Sequence, residues 1–143
     1  ITIRDLIKTS LRMRPDRIIV GEVRGAEALD MVQSLNTGHD GSMSTGHGNS
    51  PKDMLARLET MVLMGADIPL NAIRSQLAAG IDIMVHLARM PDKTRKVIEI
   101  NEIKEFKDNQ IILNKLYCME NGKLKKVGTL KNIFKLQSYG LSV

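Results

Sequence analysis

An almost unbroken apolar run at residues 17–23, RIIVGEV, constrains the fold of this chain more than any other feature. It lacks the alternation of apolar and polar residues found in half-exposed strands, and is typical of a strand covered by helices on both faces. Helical apolar spacing precedes it, from a Thr2–Asp5 capping box to Pro15. We therefore predict a central strand of a parallel sheet.

The next segments predict a crossover. Residues 28–35 have the apolar spacing of a helix that Gly38 stops, and residues 42–45 read as a second short strand. A strand, a helix and a second strand in this order imply parallel pairing. A helix beginning at Ser50 and another beginning near Pro69 follow, the latter ending at Gly80. In this last helix we expect an inward-facing set of four residues: Leu70, Ile73, Leu77 and Ala78.

From Ile81 the apolar period changes to two, which predicts strands. The first has a core stripe made of Ile81, Ile83, Val85 and Leu87. Residues 97–103 and 110–119 follow the same pattern, and the turn signals Asp108-Asn109 and Asn121-Gly122 predict hairpins. The predicted fold class is α/β, mostly parallel early and antiparallel late.

Composition indicates a folded, soluble domain. The chain has 143 residues, of which 43% are hydrophobic and 26% charged, so it is long enough to bury one core. No apolar run approaches the roughly 20 residues that cross a bilayer, and no signal peptide begins the chain, so we expect a cytoplasmic location. The chain starts without methionine inside a helical turn, and we expect the natural protein to continue upstream.

Charge and cysteine content restrict the partners. Basic residues crowd the last third, which fits either a solvated sheet face or attraction to anionic lipid or an acidic partner. Nucleic acid is not an expected partner, because only 3% of residues are aromatic and Trp is absent, leaving little surface for base stacking. The single Cys118 fits a reducing compartment, and we assign it no role.

Two polar side chains follow the early strands, at the edge of the sheet where ligands bind in open α/β folds. Glu22 closes the first strand; it either binds Mg²⁺ through water or simply pairs with Arg24. His47 follows the second strand in a loop that ends at a helix N-terminus, where it either senses a terminal phosphate or plays a structural part. We expect both groups to project from adjoining strand tips toward one pocket edge.

Spacing alone does not decide the roles of the remaining histidines and arginines. His39 stands in a similar position after the preceding helix, whereas His86 faces away from the predicted core stripe. The arginines near the turn at Pro15 fit either phosphate contacts, including an arginine finger, or ordinary solvated ends. They are Arg12, Arg14, Arg17 and Arg24.

No phosphate-binding loop is present in the sequence. Residues 41–46, GSMSTG, have two glycines five apart, but His47-Gly48 follows where such a loop requires Lys and then Ser or Thr. The cysteine and histidine spacing likewise fits no zinc site.

Taken together, residues 11–24 closely resemble the Walker B region of the type II/IV secretion-system ATPase family. Residues 36–42 and 47–51 look like the histidine box of that family. Residues 57–64 resemble its Flp/Tad pilus branch, the CpaF type. The resemblance covers residues 1–102 well and the remaining, strand-rich tail more loosely.

The resemblance implies the C-terminal portion of a RecA-like P-loop NTPase, a three-layer αβα fold in residues 1–90 with a strand-rich extension in residues 91–143. It implies a hexameric motor that uses ATP and Mg²⁺ to drive pilus assembly or secretion, peripheral to the inner membrane and coupled to platform proteins there. The Walker A loop and acidic box of the family would lie upstream, so this piece is expected to be inactive alone.

The resemblance also assigns residues. Glu22 becomes the Walker B glutamate acting on Mg²⁺ through water, His39 and His47 lie near the nucleotide, and Arg12 and Arg24 match recurrent family arginines. Gly46 and Gly48 replace other small residues of the branch, which is expected to loosen the loop around His47.

Two alternatives remain at this point. In the first, the chain is a non-catalytic docking module whose basic tail binds a membrane-associated partner. In the second, it is a RecA-like DNA motor, which the aromatic-poor composition disfavours.

Overall fold

The computed structural model describes residues 1–141, and the chain forms two compact units, Ile1–Ile81 and Asp82–Val143. The first unit contains α1 (Ile3–Arg12), β1 (Ile19–Val20), α2 (Ala28–Leu35), β2 (Met43–Ser44), α3 (Pro51–Gly65) and α4 (Leu70–Gly80). The second contains β3 (Ile83–Arg89), β4 (Arg95–Lys107), β5 (Gln110–Glu120), β6 (Lys123–Lys126) and α5 (Phe134–Ser138). β3 belongs to the second unit because it pairs with β4. The assignment of residues 1–90 to the ATPase domain and of residues 91–143 to its extension stays a prediction. Residues 142–143 of the expected extension lie outside the described residues.

Helix starts agree with the capping signals. Thr2 and Asp5 form a reciprocal capping box at α1. The Ser50 hydroxyl accepts a hydrogen bond from the backbone N–H of Asp53 at 3.1 Å, with Pro51 at the first helical position of α3. These caps satisfy backbone donors that would otherwise lack a partner at a helix end. Among residues 1–141, no helix combines the length and apolar character needed to cross a bilayer.

The predicted parallel crossover is confirmed. Ile19 pairs with Met43 and Val20 with Ser44 in parallel register. The expectation that helices cover both faces of β1 is wrong for the described residues: Val20 is 9% exposed, whereas Ile19 on the opposite face is 69% exposed. One face of this parallel pair therefore lacks a cover within the described part of the chain.

The core of the first unit is built around α2, which packs against α1, α3 and α4. Val32 of α2 is buried, and Ile73 and Leu77 of α4 face inward as predicted. Leu70 does not: it is exposed, because it begins α4 one turn before the buried stripe.

The second unit is an antiparallel sheet of four strands in the order β3-β4-β5-β6. Both predicted hairpin turns are present. Asp108 and Asn109 have φ values of +49° and +60°, and Asn121 and Gly122 have +50° and +76°. Two successive residues with positive φ are the signature of a two-residue turn that matches strand twist. The α/β class, parallel early and antiparallel late, is thus confirmed.

The predicted core stripe of β3 is wrong. Ile83, Val85 and Leu87 are all exposed, while the alternate residues are half-buried. His86 lies on this more buried face, with Nδ1 3.2 Å from Oε1 of Glu99. Period-two patterns identify two faces of a strand, but apolarity alone misidentified the covered one.

Candidate functional site

The tips of β1 and β2 are tied together beyond their paired residues. The Thr45 hydroxyl donates to the backbone oxygen of Gly21 at 2.5 Å, and the backbone N–H of Val23 donates to the oxygen of Thr45 at 3.1 Å. The segments after the two strands therefore run side by side. This brings Glu22 and His47 together, as expected from the carboxyl ends of adjacent parallel strands.

Glu22 lies between the side chains of Arg24 and His47. Its Oε2 is 2.6 Å from Nη2 of Arg24, and its Oε1 is 2.7 Å from Nε2 of His47. The Glu22 side chain is 26% exposed, while those of Arg24 and His47 are 75% and 78% exposed. Oε1 of Glu22 is shielded from solvent, and the His47 ring nitrogen is its polar neighbour among the described residues. The site is a sheltered carboxylate with two accessible nitrogen groups at its rim.

The electrostatics keep Glu22 ionised. The hydrogen bond from Arg24 lowers the pKa of the Glu22 carboxyl, and this effect exceeds the opposing effect of desolvation. The charge of Arg24, and that of His47 when it is protonated, act in the same direction. At neutral pH the group is therefore a carboxylate that can accept hydrogen bonds.

Glu27 holds the backbone beside the site, and the sequence analysis did not identify it. Its Oε1 accepts hydrogen bonds from the backbone N–H groups of Arg24 at 2.8 Å and Gly25 at 3.1 Å. The first of these bonds lowers the pKa of the Glu27 carboxyl. The spacing of three residues from Arg24 to Glu27, just before a helix, is the signal that could have revealed this cap.

Two other candidates lie elsewhere. His39 precedes β2, at the opposite end of the strand pair from His47, and its Nδ1 is 2.8 Å from the Thr37 hydroxyl. Arg12 ends α1, is exposed, and forms no ion pair within the described part of the chain. Neither side chain contacts Glu22 in the described residues. Their roles in nucleotide binding or catalysis remain predictions.

A cleft of about 660 Å³ opens between α1 and the β1 segment and reaches Glu22 and Arg24. Its lining is mostly apolar and includes Leu6 of α1 and Ile19 of β1, both exposed. The carboxylate therefore stands at the end of an open apolar cleft.

The residues present fit Mg²⁺ only through Glu22. Within residues 1–141, no three His, Cys, Asp or Glu side chains group closely enough to hold a metal ion. Each Glu22 oxygen already has a nitrogen neighbour, so this carboxylate suits a hydrogen bond to a metal-bound water better than direct ligation. A nucleotide would find Arg24 and His47 as exposed donors for its phosphate oxygens.

The chain is similar to several known proteins. Residues 1–130 match the family described as type II/IV secretion system protein. A putative conjugal transfer protein of Mycobacterium tuberculosis is 44% identical over 105 residues, covering 73% of this chain and 30% of that protein. The type IV secretion system protein VirB11 of Bartonella quintana is 38% identical over 103 residues, covering 68% and 28%.

The crystal structure of the VirB11 ATPase from Brucella suis, in complex with sulphate, resembles this chain with a TM-score of 0.65 and 35% identity. The likeness covers 70% of this chain and 31% of that one. The α/β architecture is therefore that of part of a VirB11 ATPase, consistent with the C-terminal portion of a RecA-like domain. The chain spans about three tenths of the length of the relatives it matches.

Proposed function

Because this chain belongs to the type II/IV secretion system protein family, we propose that it is the segment of an ATPase motor that carries the Walker B glutamate and the histidine box. The whole protein hydrolyses ATP to drive protein secretion or pilus assembly. This segment lacks the phosphate-binding loop sequence and is inactive alone.

One observation carries the proposal: the ionised Glu22 carboxylate lies at the carboxyl end of a parallel strand between Arg24 and His47. A structural ion pair would need only Arg24. The second neighbour, His47, comes from the loop after another strand, and both neighbours are mostly exposed. This arrangement supports a site where a carboxylate orients water while nitrogen donors meet phosphate oxygens.

Each side chain has a distinct part. Glu22 accepts a hydrogen bond from a water and holds it beside the phosphate. Arg24 stabilises charge on the phosphate oxygens, because a guanidinium matches their geometry. His47 donates from its ring nitrogen when its contact with Glu22 opens, and thereby senses the terminal phosphate. Mg²⁺ bound with ATP would neutralise phosphate charge and orient water.

The same proposal covers the branch of the family, the assembly, and the roles of Arg12 and His39. Residues 57–64 support the Flp/Tad, CpaF-type branch, and the relatives named above support a secretion apparatus. The working assembly is a homo-hexamer, peripheral at the cytoplasmic face of the inner membrane, bound to platform proteins rather than nucleic acid. In it Arg12 reaches the nucleotide of a neighbouring subunit, since this exposed side chain has no partner among the described residues. His39 makes a nucleotide contact in that assembly.

The experiment is Glu22→Gln in the full-length protein. The isosteric amide keeps the shape but loses the charge, so ATP turnover should fall at least about 10²-fold while nucleotide binding persists. The matched control is Glu120→Gln, an exposed carboxylate paired with Lys125 in the second unit, which should retain parental turnover. Parental turnover in Glu22→Gln would refute the catalytic role of Glu22. Robust hydrolysis by this chain alone would refute its proposed inactivity.

A docking function for the second unit has separate support. The first unit carries nine Lys and Arg against nine Asp and Glu, and the second carries twelve against seven, so the net charge of +5 belongs to the second unit alone. All four residues of the edge strand β6 are exposed, including Lys123, Lys125 and Lys126. Such a strand suits an acidic, membrane-associated partner.

Reversing these three lysines to Glu tests that second function. Salt-sensitive co-sedimentation with membranes should be lost, whereas reversal of Lys8 and Lys52 in the charge-balanced first unit should not affect it. Protease treatment of the membranes separates a protein partner from a lipid surface. Unchanged sedimentation of the triple variant would exclude the docking function.

A further inference from the structure

The loop that carries His47 packs against one side chain of α3. A Cβ built on Gly46 would overlap Cε of Met54 and lie 3.0 Å from its Sδ. A Cβ built on Gly48 would lie 3.0 Å from Cβ of Met54 and 3.1 Å from its Cα and N. The two glycines that flank His47 therefore both abut Met54, one at the tip of its side chain and the other at its base.

The space beside Met54, and not the backbone conformation, is what sets these two glycines apart. Neither Gly46 nor Gly48 is among the residues with positive φ, so an L-residue could adopt either backbone geometry. At Gly48 a larger residue would press on Cβ and backbone atoms of Met54, whereas at Gly46 it would displace the flexible tip of the Met54 side chain. The expectation that these glycines loosen the loop is therefore not supported by the packing, because they allow it to lie directly on the first turn of α3.

The strand segment that carries Glu22 also comes close to the Gly46 position. The nearest further atom to the Gly46 position is Cγ2 of Val23, at 4.0 Å, and Val23 is buried beside Glu22. Below Met54, the backbone N–H of that residue donates to the oxygen of Ser50 at 2.9 Å, which fixes it to the start of α3. An unbranched thioether side chain suits such an irregular gap between a loop and a strand.

We propose that Met54 is the positioning residue of the histidine loop: its side chain, seated against Gly46 and Gly48, holds His47 in contact with Glu22. Shortening Met54 removes the support under the loop, and His47 then samples positions away from the carboxylate. The effect on turnover depends on the function proposed above. The effect on the loop itself does not.

A double-substitution cycle tests this in the chain described here, with the ring resonances of His47 and the amide dynamics of residues 46 and 48 measured by NMR. Gly46→Ala and Met54→Ala should each shift the His47 resonances and increase loop motion. In the double variant the two substitutions should compensate for each other, because the new methyl group of residue 46 occupies the space left by the tip of Met54. The double variant should lie closer to the parent than either single variant does.

Gly48→Ala is the contrasting case. Its Cβ meets backbone atoms of Met54, which no side-chain truncation removes. Met54→Ala should therefore fail to rescue Gly48→Ala. Met54→Leu, close in volume, should keep the His47 resonances near their parental positions.

The matched control is Met61→Ala, the same change at a residue of the same helix that is 4% exposed. It should lower thermal stability at least as much as Met54→Ala and leave the His47 resonances unmoved. Additive shifts in the Gly46–Met54 cycle would overturn the proposal, as would an equal response to Met61→Ala. In the full-length protein, Met54→Ala should lower kcat more than it changes KM; normal turnover with a displaced His47 would count against the catalytic role of His47 and leave the positioning role intact.

Discussion

Oε1 of Glu22 lies 2.7 Å from Nε2 of His47, although the two residues follow different strands. Parallel pairing of β1 with β2 brings both side chains to the same sheet edge, and the Thr45 hydrogen bonds fix their alignment. This contact is the relationship on which the proposed motor chemistry rests. The first three predictions below concern this contact and the elements around it, and the fourth concerns the second unit.

We expect Arg24 to contribute to ATP turnover through both its charge and its planar geometry. In the full-length protein, Arg24→Ala should lower kcat about 10²–10³-fold, the effect expected from removing one donor that stabilises charge in the transition state. Arg24→Lys should recover only part of the lost kcat, because an ammonium lacks the planar fork of a guanidinium. Steady-state ATPase kinetics measure both. Arg57→Ala, an exposed arginine on α3, is the control and should behave as the parent.

Glu27 should be needed to order the backbone of the Arg24 loop. Glu27→Ala removes the acceptor for two backbone N–H groups, so hydrogen exchange at Arg24 and Gly25 should accelerate. Glu27→Gln keeps one carbonyl acceptor and should show a smaller increase in the hydrogen-exchange rate. Because the pKa of Glu27 is lowered in the folded chain, its stabilising contribution should be lost as pH falls through that lowered value. Unchanged hydrogen exchange at Arg24 and Gly25 in Glu27→Ala would contradict the role of Glu27 in holding this backbone.

The cap of α3 should stabilise the helix that supports the histidine loop. Ser50→Ala leaves the N–H of Asp53 without its acceptor and should cost about 0.5–2 kcal/mol in the free energy of unfolding. Ser50→Asp retains a capping oxygen and should cost much less. Circular dichroism at increasing urea measures the difference. Thr60→Ala, inside the same helix and exposed, should change stability less than Ser50→Ala.

Glu102 should stabilise the second unit. It is 1% exposed and accepts from Nδ2 of Asn114 at 2.7 Å and from the backbone N–H groups of Lys131 at 3.0 Å and Asn132 at 2.5 Å. Burial acts to raise the pKa of Glu102, but these donors outweigh it and the pKa is lowered. Glu102→Gln replaces an acceptor oxygen with a donor and should cost about 1–3 kcal/mol.

The pH dependence of the free energy of unfolding is a further check on the role of Glu102. A carboxyl with a lowered folded pKa contributes stability above its ordinary value of 4.5, and this contribution is lost as pH falls through the folded value. The loss between neutral and acid pH should therefore be smaller in Glu102→Gln than in the parent. Tyrosine fluorescence reports this unit alone, since Tyr117 and Tyr139 both belong to it and Trp is absent. Glu105→Gln, an exposed carboxylate on the same strand, is the control.

Much of the fold and part of the site could be read from the sequence. The helix caps, the turn pairs and the parallel order of β1 and β2 were predictable, and so was the meeting of Glu22 with His47. The part played by Glu27 could have been found from its spacing to Arg24. Not predictable were the exposed stripe on β3, the separation of His39 from the site, and the part played by Met54. Each of these depends on which surface a neighbouring element covers, and spacing along the chain does not specify that.

By itself, the sequence determined where helices begin and turns form, because a Thr2 or Ser50 cap and an Asn121-Gly122 turn depend on backbone groups only a few residues away. Tertiary structure alone decided that His39 lies away from Glu22, and that two glycines rest on Met54. Strand register and helix packing fix these positions only once the whole unit is folded.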